Sequence, residues 1–415
     1  MIRIGIVGCG RILNAHLQGY LRLRESGIDN FRITALCARN PADALMFRKR
    51  GDGPTPRPPV VDPASGDALA APHTYVSDIH DGEVAVFSDY HAMIASGCVD
   101  AINDFTTLAV HHEVARAALL AGKHVLVQKP IAISVRAGWM MIDLAKKQQL
   151  TLGVFENVRQ MELVRAQHWA VAHGLIGTPQ FAVLGSLGGL WSPNRIVAET
   201  PWRHQKLHGG GGGSIDIGVH QMDWMRYVMG EVREVSAMAA TFVPERTHTN
   251  SDGSVSRVTA DVDDTYMATL RFESRAMGQL WWSWAGQTDS VTIDGGPAFV
   301  GSAAAIRGDQ LVYPDGRRES LLDRFQRDMS KQERHKFFPL GLTDPAAISQ
   351  YDWLHAISQG TDPETSGSEG LRDLAAAYAI LESNALSRSV AVADVLDGTV
   401  ANYQKEINDH YGFTE

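Results

Sequence analysis

The stretch IRIGIVGCGRI at residues 2–12 decides the fold class. Residues 2–7 form a short apolar run with Arg3 inside it, which reads as a first strand. Gly8-Cys9-Gly10 follows, and a helical pattern then runs over residues 12–24. Strand, glycine turn and helix in that order are the context a dinucleotide fingerprint requires. The glycines let the backbone approach a pyrophosphate, and the helix N-terminus supplies free N–H groups. Gly8, Gly10, Arg11 and Ile12 are therefore candidate phosphate contacts. Leu13 stands at the third fingerprint position instead of glycine, which is expected to loosen the helix–sheet contact.

Residues 31–38 read as a second strand. An acid at the end of this strand usually meets a free ribose 2′-hydroxyl. Here Ala38-Arg39-Asn40 stands instead, and Arg39 is placed to meet a 2′-phosphate, which favours NADP over NAD. Residues 51–74 are rich in proline and are expected to be an ordered surface loop or lid. Shorter strand and helix signals follow at 84–87 and 90–95. The strand at 99–105 carries Asn103 and Asp104 near its end, where open parallel sheets face ligand. Thr106 can cap or contact ligand, and a helix begins at His111. The next strand ends in Gln128-Lys129-Pro130. Pro130 restricts the backbone of Lys129, and an ammonium fixed there can stabilise an alkoxide. A lone lysine is equally at home on a surface.

Residues 131–415 read as a second domain after a nucleotide-binding domain over residues 1–130. A helix over 135–149 leads to a strand at 150–155, followed by Glu156 and Asn157. A loop carrying Trp191, Trp202, Arg203, His204 and Lys206 mixes aromatic and polar groups suited to a sugar face. It runs into GGGGGSIDIGVHQMD at residues 209–223. Asp216 and His220 are four apart and share a helix face, with Asp223 near it. A carboxylate and an imidazole there can move a proton. The bland alternative is a flexible loop before a helix with two surface groups. Beyond Gly230 the period changes to that of strands, over 232–242, 264–272, 276–284 and 290–293. Residues 247–256 read as an exposed turn, and 344–358, 370–388 and 392–410 as helices. The expected class is α/β: a βαβ nucleotide domain, then an α/β domain built on a large open, mostly antiparallel sheet. Its aromatic face, costly in water, favours a homodimer or homotetramer.

Composition narrows the function classes. Net charge is 38 minus 47, or −9, which argues against broad contact with nucleic acid or anionic lipid. No apolar run approaches the ~18 residues of a membrane span. Cys9, Cys37 and Cys98 have no metal-ligand spacing, so no metal is expected, and a cytoplasmic setting fits.

With these stretches placed, the chain closely resembles the Gfo/Idh/MocA family, which includes glucose–fructose oxidoreductase and inositol dehydrogenase. The resemblance spans essentially the whole chain. It rests on IGIVGCG near the start, AGKHVLVQKP at 121–130, WRHQKLHGGGGGSIDIGVHQMD at 202–223 and GSEGLRDLAAAYAILES at 367–383. It implies a Rossmann domain and a second α/β domain whose sheet serves oligomerisation. It further implies NAD(H) or NADP(H) and oxidation or reduction of a secondary hydroxyl or carbonyl of a sugar or cyclitol. The lysine of the family's EKP motif falls on Lys129, and the acid and base of DxGxH on Asp216 and His220. The Thr106 segment, His111 and Gln128 fall with the cofactor. Glu156, Asn157, Trp202, Arg203 and Lys206 are expected around substrate. Gln128 departs from the usual glutamate and removes a negative charge beside Lys129.

The expected chemistry is proton removal by His220, oriented by Asp216, as hydride leaves carbon, with Lys129 steadying the alkoxide. One rival keeps the same residues: transient oxidation, elimination of a glycosidic substituent and re-reduction, with Tyr266, Glu156 or His208 as the extra base. A non-catalytic NAD(P)-binding sensor is the other.

Overall fold

Strand β1 (Ile2–Val7) forms where the sequence expects it, because Ile4, Ile6 and Val7 all enter the core. The structure is a computed structural model, and it describes residues 1–59, 61–65, 67–188, 200–249, 253–286 and 289–413. The chain divides into two units. Met1–Ala132, Ala137–Gln160 and His335–Gly370 make the first; Ile133–Arg136, Met161–Arg334 and Leu371–Glu415 make the second.

In the first unit β1 is joined by β2 (Phe31–Cys37), β3 (Ala85–Phe87), β4 (Ala101–Asp104), β5 (His124–Gln128) and β6 (Leu152–Phe155). All pairs are parallel, in the order β3-β2-β1-β4-β5-β6. The winding reverses between β1 and β4, the switch point at which such sheets take ligands. The sequence division at residue 130 leaves β6 and the Pro345–Gln359 helix outside this unit, whereas the structure groups both with it. The Leu13–Glu25 helix buries Leu13, His16, Leu17, Tyr20 and Leu23 on one face. Leu13 thus packs fully into the core instead of loosening it. The Pro345–Gln359 helix secures the assembly from its own side, with Trp353 Nε1 donating to Val125 O at 3.1 Å. The described residues between 51 and 74 include two short turns, Pro63–Ser65 and Ala68–Ala70.

The second unit is built on β7 (Pro179–Leu187), β8 (Val232–Ala240), β11 (Thr265–Phe272) and β12 (Met277–Ser283). Strands β13 (Val291–Thr292), β14 (Ala298–Gly301), β15 (Ala305–Arg307), β16 (Gln310–Val312), β17 (Arg318–Ser320) and β18 (Val390–Ala391) complete a ten-stranded sheet. Only β7 and β12 pair in parallel, so the sheet is mixed with antiparallel pairs dominant. Two sequence expectations change. The polar stretch after β8 is a separate two-stranded ladder of β9 (Glu245–Thr249) and β10 (Val255–Thr259). The helix expected over 392–410 is two, Val392–Leu396 and Lys405–Tyr411, because Gly398 takes a positive φ of 83° between them.

The glycine run is neither flexible nor open. Residues 209–213 are buried. A Cβ on Gly212 would lie 1.6 Å from Asp263 O, so the close approach at this point is to the chain's own backbone. The Asp263 carboxylate accepts from Gly212 N, Ser214 N and Ser214 Oγ, each at 2.8 Å. These bonds fix the start of the helical turn that carries Asp216. Burial pushes the Asp263 carboxyl up, and the bonds from Ser214 and Gly212 pull it down. Asp263→Ala strands two backbone N–H groups and a hydroxyl in the interior. The expected loss is about 3 kcal/mol, read calorimetrically as a Tm roughly 6–12 °C lower. A variant melting with the wild type would show that the carboxylate does not hold the loop.

Candidate functional site

The C-terminal edge of the first sheet gathers the first group of candidates. Gly8 leaves β1 with φ 99°, and a Cβ there would lie 2.4 Å from Phe105 O, so glycine is required for the β1 and β4 ends to meet. Gly10 differs: a Cβ there would meet nothing within 4 Å. The helix starting at Leu13 has no acid in its first turn and no side chain capping it. An open glycine turn over an uncapped helix N-terminus fits a pyrophosphate. Gly8, Gly10, Arg11 and Ile12 would hold it.

Beyond β2, Arg39 is exposed, while Asn40 caps the next helix by accepting from Ala42 N at 3.2 Å. After β4, Asp104 is buried and accepts from Thr106 N at 3.0 Å and Thr106 Oγ1 at 2.7 Å. Burial pushes its carboxyl up, and the charge of nearby His111 pulls it down. Asp104 thus shapes the Thr106 turn from inside. His111 is also buried, with Nδ1 2.9 Å from Pro130 O and Nε2 3.3 Å from Thr106 O. Its ring nitrogens face carbonyls from two segments of the edge. After β5, Lys129 is half-buried and its N–H donates to Gln128 Oε1 at 2.8 Å. The Lys129–Pro130 peptide is cis. After β6, Glu156 is 1% exposed and accepts from Val158 N at 3.1 Å, while Asn157 is half-buried. Glu156 therefore shapes the loop that presents Asn157.

In the second unit the Gly213–Asp216 turn and the Gly218–Met229 helix are separated at Ile217, where φ is −106°. The backbone stays nearly helical, with Gln221 N donating to Ile217 O at 3.2 Å. Asp216 and His220 remain about one turn apart, both half-buried. Asp223 is buried in the core instead of sharing that face. Arg203 Nε donates to Asp216 Oδ2 at 3.1 Å, and its guanidinium lies 4.1 Å from the Trp202 ring centre. Trp202, Arg203 and Asp216 thus form one cluster. Lys206 donates to Glu406 Oε2 at 2.9 Å and sits 4.2 Å from the Tyr403 ring centre, so its charge is already engaged. His204 is fully buried beside Arg246 at 2.5 Å and presents no polar face to a sugar. Trp191 lies outside the described residues.

Two residues that sequence reasoning missed matter here. Asp263 lies in an acid-rich DVDD at 261–264, just before a strand, a placement that signals capping only once the partner loop is known. His16 lies on the buried face of the first helix, where spacing marks a core position without its polar role. Tyr266 is excluded as a base. It is fully buried, its hydroxyl donates to Gln221 Oε1, and burial pushes its phenol well above the usual range. Among the described residues there is no helix long and apolar enough to cross a membrane.

Comparison with known proteins agrees with this architecture. Residues 59–156 match the model of an oxidoreductase family with an NAD-binding Rossmann fold, and residues 164–307 match the GFO/IDH/MocA C-terminal domain. Levoglucosan dehydrogenase of Pseudarthrobacter phenanthrenivorans is 26% identical over 341 residues, covering 74% of this chain and 84% of that protein. Myo-inositol 2-dehydrogenase of Thermotoga maritima is 25% identical, covering 76% and 86%. A levoglucosan dehydrogenase structure in complex with NADH and L-sorbose superposes with a TM-score of 0.72 over 94% of this chain and 98% of that one. At 22% identity that last likeness speaks for the fold. Two models of one family on successive segments, a parallel sheet of matching order and an open glycine turn lead to one assignment: the chain is a Gfo/Idh/MocA-family oxidoreductase with an NAD-binding Rossmann domain.

Proposed function

We propose that the protein is an NAD(P)-dependent dehydrogenase or reductase acting on a secondary hydroxyl or carbonyl of a sugar, sugar derivative or cyclitol. The observation that carries this reading is the Asp216–His220 turn. An imidazole stands one turn from a carboxylate that a guanidinium already holds, on a helix start fixed by Asp263. The names of relatives acting on levoglucosan and myo-inositol support the substrate class.

When bound, the nicotinamide takes up or returns the hydride. The chain's own residues do the rest. His220 accepts the hydroxyl proton in oxidation and returns it in reduction, a task suited to an imidazole near neutral pH. Asp216, steadied by Arg203, orients that exchange. Lys129 places a positive charge for the alkoxide. Trp202, Arg203 and Asn157 bind substrate hydroxyls, while Glu156 and Lys206 shape the loops around them. Gly8, Gly10, Arg11, Ile12 and Thr106 hold the dinucleotide, and His111 and Gln128 act behind that layer. The glycosidase alternative is weaker, because two of its three candidate bases, Tyr266 and Glu156, are engaged in the interior, which leaves only exposed His208.

We further infer a preference for NADP(H). No acid ends β2, and exposed Arg39 is available to a 2′-phosphate. A cytoplasmic setting agrees with three free cysteines. We also infer self-association through the open sheet, where Met238, Met267 and Met277 are 78%, 54% and 51% exposed. Register places Met267 beside Met238 and Trp281.

Steady-state kinetics of His220→Ala tests the proton transfer. Turnover falls at least about 100-fold while cofactor affinity changes little; full turnover would contradict the assignment. Arg39→Ala weakens NADP(H) about tenfold or more with NAD(H) nearly unchanged in fluorescence titration. Equal weakening of both would make Arg39 an adenine contact.

A further inference from the structure

Gln128 joins two parts of the first unit. Its Oε1 accepts from Lys129 N–H at 2.8 Å, and its Nε2 lies 3.1 Å from His16 Nε2. A backbone N–H only donates, so the amide oxygen faces Lys129 and the amide nitrogen faces His16. The amide nitrogen also only donates. His16 Nε2 is therefore the bare ring nitrogen, and the proton sits on Nδ1.

His16 is fully buried. Phe105 stacks on its ring at 3.5 Å and Phe155 meets it edge-on at 4.1 Å. Burial lowers its pKa to about 3, so the ring is neutral at working pH. Among the described residues Nδ1 has no hydrogen-bond partner. An unpaired donor in the interior costs about 1–3 kcal/mol. The chain retains that cost at a position whose ring makes its hydrogen bond to Gln128. Gln350 Nε2 donates to His16 O at 2.9 Å and fixes this turn of the helix from behind.

We propose that His16 is a positioning residue for Lys129, acting through Gln128. The neutral imidazole locks the amide, and the locked amide holds the Lys129 backbone at the end of β5. A glutamate at 128 could tether the same N–H, but it would set a negative charge beside the ammonium. The glutamine tether adds no negative charge at that position. The proposal rests on reading Lys129 as the alkoxide-stabilising cation.

The test begins without substrate. Protein carrying 15N-labelled histidine is compared with His16→Phe to assign the His16 ring signals. Between pH 5 and pH 9 we expect Nδ1 protonated and Nε2 bare, with the proton moved to Nε2 in Gln128→Glu. Amide exchange at Lys129 is expected to accelerate about tenfold or more in both His16→Phe and Gln128→Ala. The double variant exchanges no faster than either single variant, as coupled residues require. On a sugar that the wild type turns over, His16→Phe lowers kcat about tenfold, with NADH affinity held within about twofold. A protonated Nε2 in the wild type, or unchanged Lys129 exchange in His16→Phe, overturns the inference. A fully active Lys129→Ala variant instead overturns the catalytic reading beneath it and leaves the tether standing.

Discussion

A buried carboxylate fixes the geometry on which the second unit's chemistry depends. Asp263 gathers two backbone N–H groups and one hydroxyl from Gly212 and Ser214. Charge-assisted bonds of this kind are short and directional, and they set the angle at which the chain enters the Asp216 turn. The constraint works in both directions. Gly212 must lack a side chain for the loop to reach Asp263, and the Asp263 carboxyl must accept from Gly212 and Ser214 to hold the loop. The helix that follows is anchored at its far end by Arg226, which pairs with buried Asp373 and with Glu231 at 2.8 Å. His220 therefore rides on an element fixed at both ends, which would lower the reorganisation that the proposed proton transfer needs.

The first unit solves a related problem with neutral groups. Lys129 stands at a strand end, and its backbone is held by an uncharged amide and an uncharged imidazole. Burying a charge behind the site would shift the electrostatics in front of it. Neutral supports give position without that side effect. Where acids do sit behind the edge, as Asp104 does, burial pushes the carboxyl up and limits the charge it presents.

Much of the fold was legible in sequence because it rests on local periodicity. The glycine turn after β1, the helix from Leu13 and the strand ending just before Lys129 follow from short patterns. The Asp216–His220 pair was legible as a four-residue spacing, although the break at Ile217 was not. What stayed hidden depends on partners far away in the chain. Asp263 reaches back 51 residues to Gly212, and Gln128 reaches 112 residues to His16. No local pattern encodes such pairings. The same reason explains Leu13, His204 and Asp223, whose burial follows from tertiary packing. The burial of the glycine run has the same origin, with Gly212 set close against the Asp263 backbone.

The central claim is direct hydride transfer between a nicotinamide and a sugar or cyclitol carbon. It is tested most directly with a panel of such substrates deuterated at each secondary carbinol, mixed with the protein and NAD or NADP. The account predicts that one deuterated position delivers its label to C4 of the nicotinamide, with one ketone formed per reduced cofactor. Release of a glycosidic substituent with the label returned to the sugar and no net reduced cofactor would contradict it.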